Sequence, residues 1–411
     1  MYDWANSAFA VVVLTAFYPV LFESFWSIGV DPTTTTARIG AANSISSIVV
    51  VLLAPLLGAI ADASQAKKRF LITFALLGIM STACLFFIGK GQWLYASICF
   101  IFAAIGFAGA NVFYDSLITS ITTKDNYDVV SALGFSLGYL GGGLLFLLTV
   151  IMSQIPDTFG FNNQQEAIQF SFVAVSLWWF IFSLPIMLFV HESGTPDSKK
   201  PLNVLAGLKQ LKQTAIEIRS LRVVLLFLVA YWLYIDGVDT IVRMAIPYGL
   251  SIGLDSSNLI MAILITQFVG FPSALLFGYF GQKWGAKLWI LIAISIYLII
   301  TLLASRMNSV EEFYALAISI GLVQGGVQSL SRSFYASIIP VSKSAEFFGF
   351  YNMLGKFAAV LGPIMMGTVG VITGDPRSSI LAISLLFILG GVLLFFVDQD
   401  KGKQMIKALE E

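Results

Sequence analysis

The chain has 411 residues, of which 58% are hydrophobic and 11% charged, with 35 Phe and a mean hydropathy of +0.87. A soluble domain is about a quarter charged, so this composition excludes a soluble protein and predicts one embedded in lipid. The formal net charge is zero and there is no basic stripe for a polyanion to bind. We therefore predict no nucleic-acid partner.

Apolar runs recur twelve times along the chain, each long enough for the roughly 20 helical residues that span a bilayer. They are too long for the strands of a membrane barrel, so the predicted spanning element is the α-helix. Predicted helices 1 to 6 are 4–27, 38–61, 70–89, 93–122, 129–152 and 167–190, and helices 7 to 12 are 222–249, 257–281, 286–305, 312–338, 346–373 and 378–397. The predicted fold class is an all-α membrane protein with 12 transmembrane helices in two pseudo-symmetric six-helix bundles.

The longest polar break divides these helices into two groups of six. The predicted domains are an N-terminal bundle at 1–190, a cytoplasmic linker at 191–221, a C-terminal bundle at 222–398 and a cytoplasmic tail at 399–411. Apolar residues recur every three or four positions in the linker, between basic ones, which predicts an amphipathic helix at the inner membrane surface; docking of a partner is the alternative. His191, the only histidine, is interpreted as an interfacial cap, with proton sensing as the alternative.

Lys and Arg are distributed unevenly between alternate loops. If the N-terminus is cytoplasmic, sixteen of the 23 lie in or near inner loops and four in outer loops. This bias follows the positive-inside rule. We therefore predict that both termini are cytoplasmic.

Four motifs and the overall plan resemble a known family. Two six-helix halves, a charged linker and a polar turn between helices 2 and 3 resemble the major facilitator superfamily. Within it, the chain resembles the vacuolar amino-acid effluxer (autophagy-related) family and its bacterial relatives, through YDWANSAF at 2–9, GYLGGG at 138–143, QSLSRS at 328–333 and EFFG at 346–349. The resemblance implies a secondary transporter, since some eukaryotic members are associated with efflux of neutral amino acids from the vacuole.

Two short polar turns occupy corresponding places in the two halves, GAIADASQAKKR at 58–69 and GYFGQKWGAK at 278–287. The superfamily turn is incomplete in both, because the first has Ala63 and Gln65 where Arg and Gly are expected, and the second has Gln282 in place of Asp. Asp62 can accept hydrogen bonds from a neighbouring helix N-terminus. We interpret the turns as a cytoplasmic latch formed by Gly58, Asp62, Lys67, Arg69, Gly278 and Lys287; a plain topology signal is the alternative.

Predicted helix 7 carries the densest set of ionisable residues within a span. Trp232, Asp236, Asp239 and Arg243 follow at spacings of four, three and four, so they share one helix face. Charges in hydrocarbon are costly, so that face is expected to point to protein or water. We predict an intrahelical pair of Asp239 with Arg243, which leaves Asp236 as a proton carrier; a structural triad is the alternative.

Polar side chains are concentrated in predicted helices 1, 4, 7 and 10, which the resemblance implies line a central cavity. The predicted cavity residues are Asn6, Tyr18, Asn111, Tyr114, Trp232, Gln324, Gln328 and Lys356. Lys356 is expected to hold a substrate carboxylate or, alternatively, a carbonyl of helix 2. Asp3 and Trp4 are interpreted as an ordinary N-terminal charge and an interface anchor.

Residue counts along the helices predict two gates. Asp115 and Arg332 each lie eight residues before an inner loop, about 12 Å deep at 1.5 Å per residue, and are expected to pair as an inner gate. Glu23 and Arg243 lie equally far along helices 1 and 7 and are expected to pair as an outer gate. Pairing of each charge within its own half is the alternative.

The predicted function is proton-coupled secondary transport of a small amphipathic solute by alternating access, with a neutral amino acid or related metabolite as first candidate. The alternatives are a lipid or lysolipid flippase on the same fold, and a transport-dead receptor or assembly factor. We predict no enzyme activity, metal or cofactor. The expected partners are the solute, protons and membrane lipids, and the expected protein is a monomer in the bacterial inner membrane.

Overall fold

The structure, a computed structural model, describes residues 1–190, 213–214, 216–218, 221–251, 253, 255–357 and 361–410. In these ranges the chain is almost entirely helical and has no β-strand. Among the described residues, twelve helices are long and apolar enough to cross a membrane. The prediction of twelve membrane-spanning helices is therefore confirmed.

The membrane-spanning helices follow the predicted order. In the first half they are α1 (Tyr2–Trp26), α2 (Thr34–Ser64), α3 (Lys67–Phe87), α4 (Trp93–Ile121), α5 (Lys124–Gln154) and α6 (Gln164–Phe189). In the second half they are α7 (Arg222–Ala245), α8 (Asn258–Trp284), α9 (Ala286–Ala304), α10 (Val310–Ser337), α11 (Val341–Thr373) and α12 (Arg377–Phe396).

Capping residues move two helix starts away from the edges of the apolar runs. The Asp31 side chain accepts from the Thr34 N–H at 2.8 Å, so α2 begins before the predicted position 38. Ser309 and Glu312 form a capping box at the start of α10. Because these caps are polar, a hydropathy argument starts both helices too late.

Each half has its own buried core, which is rich in aromatic side chains. Trp26, Trp179 and Phe100 are buried among α1, α4 and α6 of the first half. In the second half, the buried aromatic residues between α7, α9 and α12 include Tyr234, Tyr297 and Phe387. The two halves therefore have separate cores, as the two-bundle prediction requires.

The halves meet along two seams, α5 against α8 and α10, and α2 against α11. A Cβ added to Gly58 on α2 would lie 2.3 Å from the Ala345 carbonyl oxygen. One added to Gly349 on α11 would lie 2.7 Å from the Ala54 carbonyl oxygen. Only glycine allows this backbone approach.

The predicted linker lies mostly outside the described residues, as does His191, so those predictions stay untested. Its end is described, and there Glu217 pairs with Lys343 at 2.6 Å. The segment predicted as a tail forms a helix, α13 (Gln399–Glu410). Gln399 donates to the Ser337 hydroxyl at 3.0 Å and Ile406 is buried, so α13 packs on the second half.

Candidate functional site

A cavity of about 360 Å³ lies between the halves. It is lined by the four predicted helices α1, α4, α7 and α10, and also by α5, α8 and α11. The predicted residues that line it are Asn6, Asn111, Gln324, Gln328 and Lys356. Asn6 donates to the Asn111 side chain at 2.6 Å, so these two amides form one polar patch on the wall.

Three aromatic residues predicted to line the cavity lie elsewhere. Tyr18 is fully buried and stacks on Phe100 at 3.9 Å between ring centres, because its face of α1 turns into the first-half core. Trp232 packs against the core of the second half. Tyr114 lies below the cavity floor, where its hydroxyl donates to Asp3 at 2.7 Å.

Three ionisable side chains of the second half line a wider compartment of about 420 Å³ that adjoins the cavity. They are Asp239 and Arg243 on α7 and Lys356 on α11, and we call them the charged trio. No nitrogen–oxygen distance of 4.0 Å or less joins any two of these described side chains. The predicted Asp239–Arg243 ion pair is therefore not formed, although both side chains line this compartment.

Asp236, predicted to be the uncompensated proton carrier, is fully hydrogen-bonded. It accepts from the Leu361 and Gly362 N–H groups at 3.1 and 2.9 Å and from the Thr240 hydroxyl at 3.2 Å. These two N–H groups belong to α11, so Asp236 joins α7 to α11 by backbone hydrogen bonds. Its side chain is buried and does not line the cavity.

Arg332 of α10 crosses to the first half at the cavity floor. Its guanidinium lies 3.1 Å from Asp115 and 3.7 Å from Asp3. It also donates to the Ser131 hydroxyl at 2.8 Å and the Ser131 carbonyl at 2.9 Å. The structure thus brings together the two residues of the predicted inner gate, and we call Arg332, Asp115 and Asp3 the floor cluster.

Asp3 is the functional candidate that sequence reasoning underrated. It was interpreted as an ordinary helix-end charge, yet it lines the cavity and contacts Arg332 and Tyr114. Asn352 was not predicted either, and it donates to Asp115 at 3.1 Å. The signal for Asp3 was its place in YDWANSAF, the most recognisable of the four motifs.

The first polar turn joins the halves next to the floor cluster. Asp62 pairs with Lys67 at 2.9 Å and accepts from the Glu346 N–H at 2.8 Å, near the N-terminus of α11. Lys67 also donates to the Ser344 hydroxyl at 2.7 Å. This is the kind of contact predicted for Asp62, whereas Arg69 is exposed.

The second polar turn crosses the opposite seam by different residues. Gly278 packs directly on Ala132, and Gln282 donates to the Asp125 carbonyl at 3.1 Å. Lys287 does not cross, since it donates to the Phe395 and Val397 carbonyls at the end of α12 in its own half, each at 2.7 Å. The prediction that Lys287 belongs to the latch is therefore not supported by its contacts.

The end that carries both polar turns, which we call the basic end, is closed, and the opposite end is open. Cross-half hydrogen bonds cluster between the basic end and the cavity floor. At the opposite end Glu23 and Arg243 are both exposed and unpaired with each other. The predicted outer gate is apart in this state.

Comparison with known proteins identifies relatives over nearly the whole chain. The family model described as "Vacuole effluxer Atg22 like" matches residues 27–126 and 119–407. An uncharacterized MFS-type transporter, YxiO of Bacillus subtilis, is 38% identical over 403 residues, which cover 97% of this chain and 94% of that protein. Autophagy-related protein 22-1 of Aspergillus fumigatus is 25% identical over 71% of this chain. The match spans 52% of the fungal protein, about half its length.

Solved structures share the fold at low sequence identity. The proton:xylose symporter XylE superposes with a TM-score of 0.75 at 12% identity, covering 100% of this chain and 96% of XylE. The transporter FucP, in an outward conformation, gives 0.70 at 13% identity and 97% coverage of both chains.

Two six-helix halves around a central cavity define an integral membrane protein of the major facilitator superfamily, a secondary transporter and not an enzyme. Within that class, the chain belongs to the Atg22-like vacuole effluxer family. The resemblance inferred from the four motifs is confirmed.

Proposed function

We propose that the protein moves a small amphipathic solute by alternating access, coupled to protons, with a neutral amino acid or related metabolite as first candidate. The observation that carries this proposal is the charged trio. Its members line the compartment beside the cavity, and no ion pair joins any two of them. Charges exposed in a membrane cavity mark sites for ions or polar groups of a solute.

The distribution of charge around the cavity favours a solute with both signs. The floor cluster has two carboxylates and one guanidinium, and the trio has one carboxylate and two cations. A solute carboxylate would bind between Arg243 and Lys356, and an ammonium group would point to Asp239 or the floor. The amides of Asn6 and Asn111 would orient the remaining polar atoms.

Proton coupling is assigned to Asp239 and not to Asp236. Asp236 accepts three hydrogen bonds from neighbouring groups, so a proton would compete with these bonds. Asp239 faces the cavity and can exchange protons with water. When Asp239 is protonated, the two cations are left without a counter-ion, which favours binding of a solute carboxylate.

The two predicted gates would form alternately. In the present state Arg332 and Asp115 close the floor. When the halves rock, this pair would separate and Glu23 would approach Arg243 at the other end. If Arg243 must leave the solute before it pairs with Glu23, closure of the outer end would depend on where the solute is bound.

The basic end would face the cytoplasm, with both termini on that side. The support is the excess of Lys and Arg in the turns at this end, together with the bacterial relative. We place the protein as a monomer in a bacterial inner (plasma) membrane, surrounded by lipid.

Uptake into proteoliposomes tests this proposal. Purified protein would be screened over the neutral amino acids and over a fluorescent lysolipid, with and without an imposed pH gradient. We expect gradient-driven accumulation of at least one amino acid, abolished by Asp239→Asn and retained by Asp157→Asn, a change to a loop residue away from the cavity.

The two alternatives predict different results in the same assay. Movement of lysolipid that ignores the pH gradient would support a flippase and overturn the proposal. No movement of any solute, with binding unaffected by changes to the charged trio, would support a receptor or assembly factor.

A further inference from the structure

A side chamber opens within the second half, next to the cavity. It has a volume of about 110 Å³ and is enclosed by α7, α8, α9, α10 and α12. Thr15 and Val242 border this chamber, the central cavity and the compartment of the charged trio alike. The chamber therefore shares part of its wall with the proposed solute site.

The chamber wall is mainly hydrocarbon, apart from the amides of Gln267 and Gln324 on the side that borders the cavity, and its hydroxyl groups bond to backbone carbonyls. The hydroxyl of Thr301 donates to the Tyr297 carbonyl at 2.8 Å, and that of Tyr248 to the Ala304 carbonyl at 2.7 Å. Thr266 likewise donates to the Ala262 carbonyl at 2.9 Å. Such a cavity holds water poorly, and an apolar cavity of about 150 Å³ is known to stay dry and bind benzene.

The chamber is shielded from lipid on its far side. Its lining residues Ile300, Met307, Phe313 and Ile380 are all at most 8% exposed. A lipid chain would have to displace these side chains to enter. Gln267 and Gln324 line both the chamber and the cavity, and the way in that we infer crosses the border between the two spaces at these side chains.

We propose that the side chamber is a subsite for the apolar group of the transported solute, while the charged trio binds its charged groups. This rests on the proposed function and deepens it, because it places the choice between solutes in the second half. The chamber takes one branched alkyl or single-ring aryl group. Each methylene that it buries should raise affinity about fourfold.

A homologous series of amino acids tests the subsite. Binding of alanine, 2-aminobutyrate, norvaline and norleucine would be measured by isothermal calorimetry on the full-length protein. Ala317 lines the chamber and Ala315, on the same helix, is exposed. We expect Ala317→Phe to remove the gain in affinity along the series and leave alanine binding within about twofold, and Ala315→Phe to keep the gain.

A second variant guards against misfolding of the first. Ile320 also lines the chamber, and Ile320→Ala should enlarge it, so that the longest member of the series gains affinity relative to the shortest. An unchanged slope in both Ala317→Phe and Ile320→Ala would overturn the subsite and leave the proposed function standing.

Benzene separates the chamber from the identity of the solute. It should raise the Tm of the unmodified protein and of Ala315→Phe but not of Ala317→Phe. If benzene behaves this way and no amino acid binds, the chamber is an apolar subsite and the proposed solute class is wrong. Absence of any benzene effect overturns the subsite.

Discussion

At the basic end, side chains from both halves meet in direct ion pairs and hydrogen bonds, whereas at the opposite end the corresponding charges stand apart in the solvent. Arg332 and Asp115 are buried together, while Glu23 and Arg243 are exposed. Both pairs combine an acid of the first half with an arginine of the second. The difference teaches that the same kind of charge pair can be closed in one place and open in another within one conformation.

The closed end is also held by backbone packing. Gly58 contacts the Ala345 carbonyl, and Asp62 accepts from the Glu346 N–H. Breaking a buried pair by removing one partner costs about 3–5 kcal/mol, because the other charge is left uncompensated. An exposed pair is worth at most about 1 kcal/mol. The two ends should therefore respond very differently to mutation.

The largest effect is expected from Arg332→Ala. It leaves Asp3 and Asp115 buried without their cation, which should favour separation of the halves at the basic end by about 3–5 kcal/mol. The measurement is labelling of Ser7→Cys, a cavity position, by an impermeant reagent from the basic side, in a background without the native cysteines. Labelling should rise at least tenfold.

The same cluster allows a charge-swap control. Asp115→Arg should open the floor, and combination with Arg332→Asp should restore part of the closure, because the pair is re-formed with reversed sign. If the double variant labels as fast as Asp115→Arg alone, the pair does not hold the floor.

A smaller opening is expected from Gly58→Ala. The new Cβ would meet the Ala345 carbonyl oxygen, and overpacking of this kind costs about 1–3 kcal/mol. Gly40→Ala is the matched control, because it lies on the same helix with no atom within 4 Å of an added Cβ. The same labelling assay should show faster reaction in Gly58→Ala only; equal rates in both would contradict the packing argument.

Substitution of Asp236 and of Asp239, the two neighbouring acids of α7, should change different properties of the protein. Asp236→Asn loses the charge-assisted hydrogen bonds from the Leu361 and Gly362 N–H groups of α11, so the free energy of unfolding should fall by about 1–3 kcal/mol, while pH-driven uptake survives. Asp239→Asn should keep its Tm and lose dependence on the pH gradient. Thermal unfolding and proteoliposome uptake distinguish the two, and a reversed pattern would move proton coupling to Asp236.

The smallest effect is expected from Glu23→Gln. Because Glu23 is exposed and apart from Arg243 here, solute binding from the open side should change less than about twofold, in line with the weakness of exposed pairs. The rate at which the outer end closes should fall. Single-molecule distance measurements across that end would show this, and a large loss of affinity would count against the proposed gate.

Sequence periodicity predicted the helices well because the bilayer demands long apolar runs. It also predicted which charges share a depth, and so brought Asp115 and Arg332 together. Periodicity does not show how far two side chains on one helix face extend into a cavity. The predicted pairing of Asp239 with Arg243 is wrong for that reason. The hydrogen bonds of Asp236 could not be predicted, because their backbone donors belong to a helix that is distant in the sequence.

The aromatic errors have a similar origin. Tyr and Trp on helices that border a cavity can turn toward it or toward the core, and residue type does not distinguish the two. Tyr18 and Trp232 turn to their cores. Asp3 was underrated because an acid at a helix start has an ordinary explanation, and only the fold shows that Arg332 lies opposite.

All three members of the charged trio belong to the second half, so the two halves of the transporter are not equivalent. Asp239 and Arg243 lie on α7 and Lys356 on α11, and the hydrogen bonds that Asp236 accepts from α11 join these two helices. Rocking of the two halves would then leave the distances among the three charges unchanged. They would therefore bind the solute equally well on either side of the membrane. A preference for one side of the membrane must then come from the first half, through the groups that Asp3 and Asp115 release or bind when the halves move.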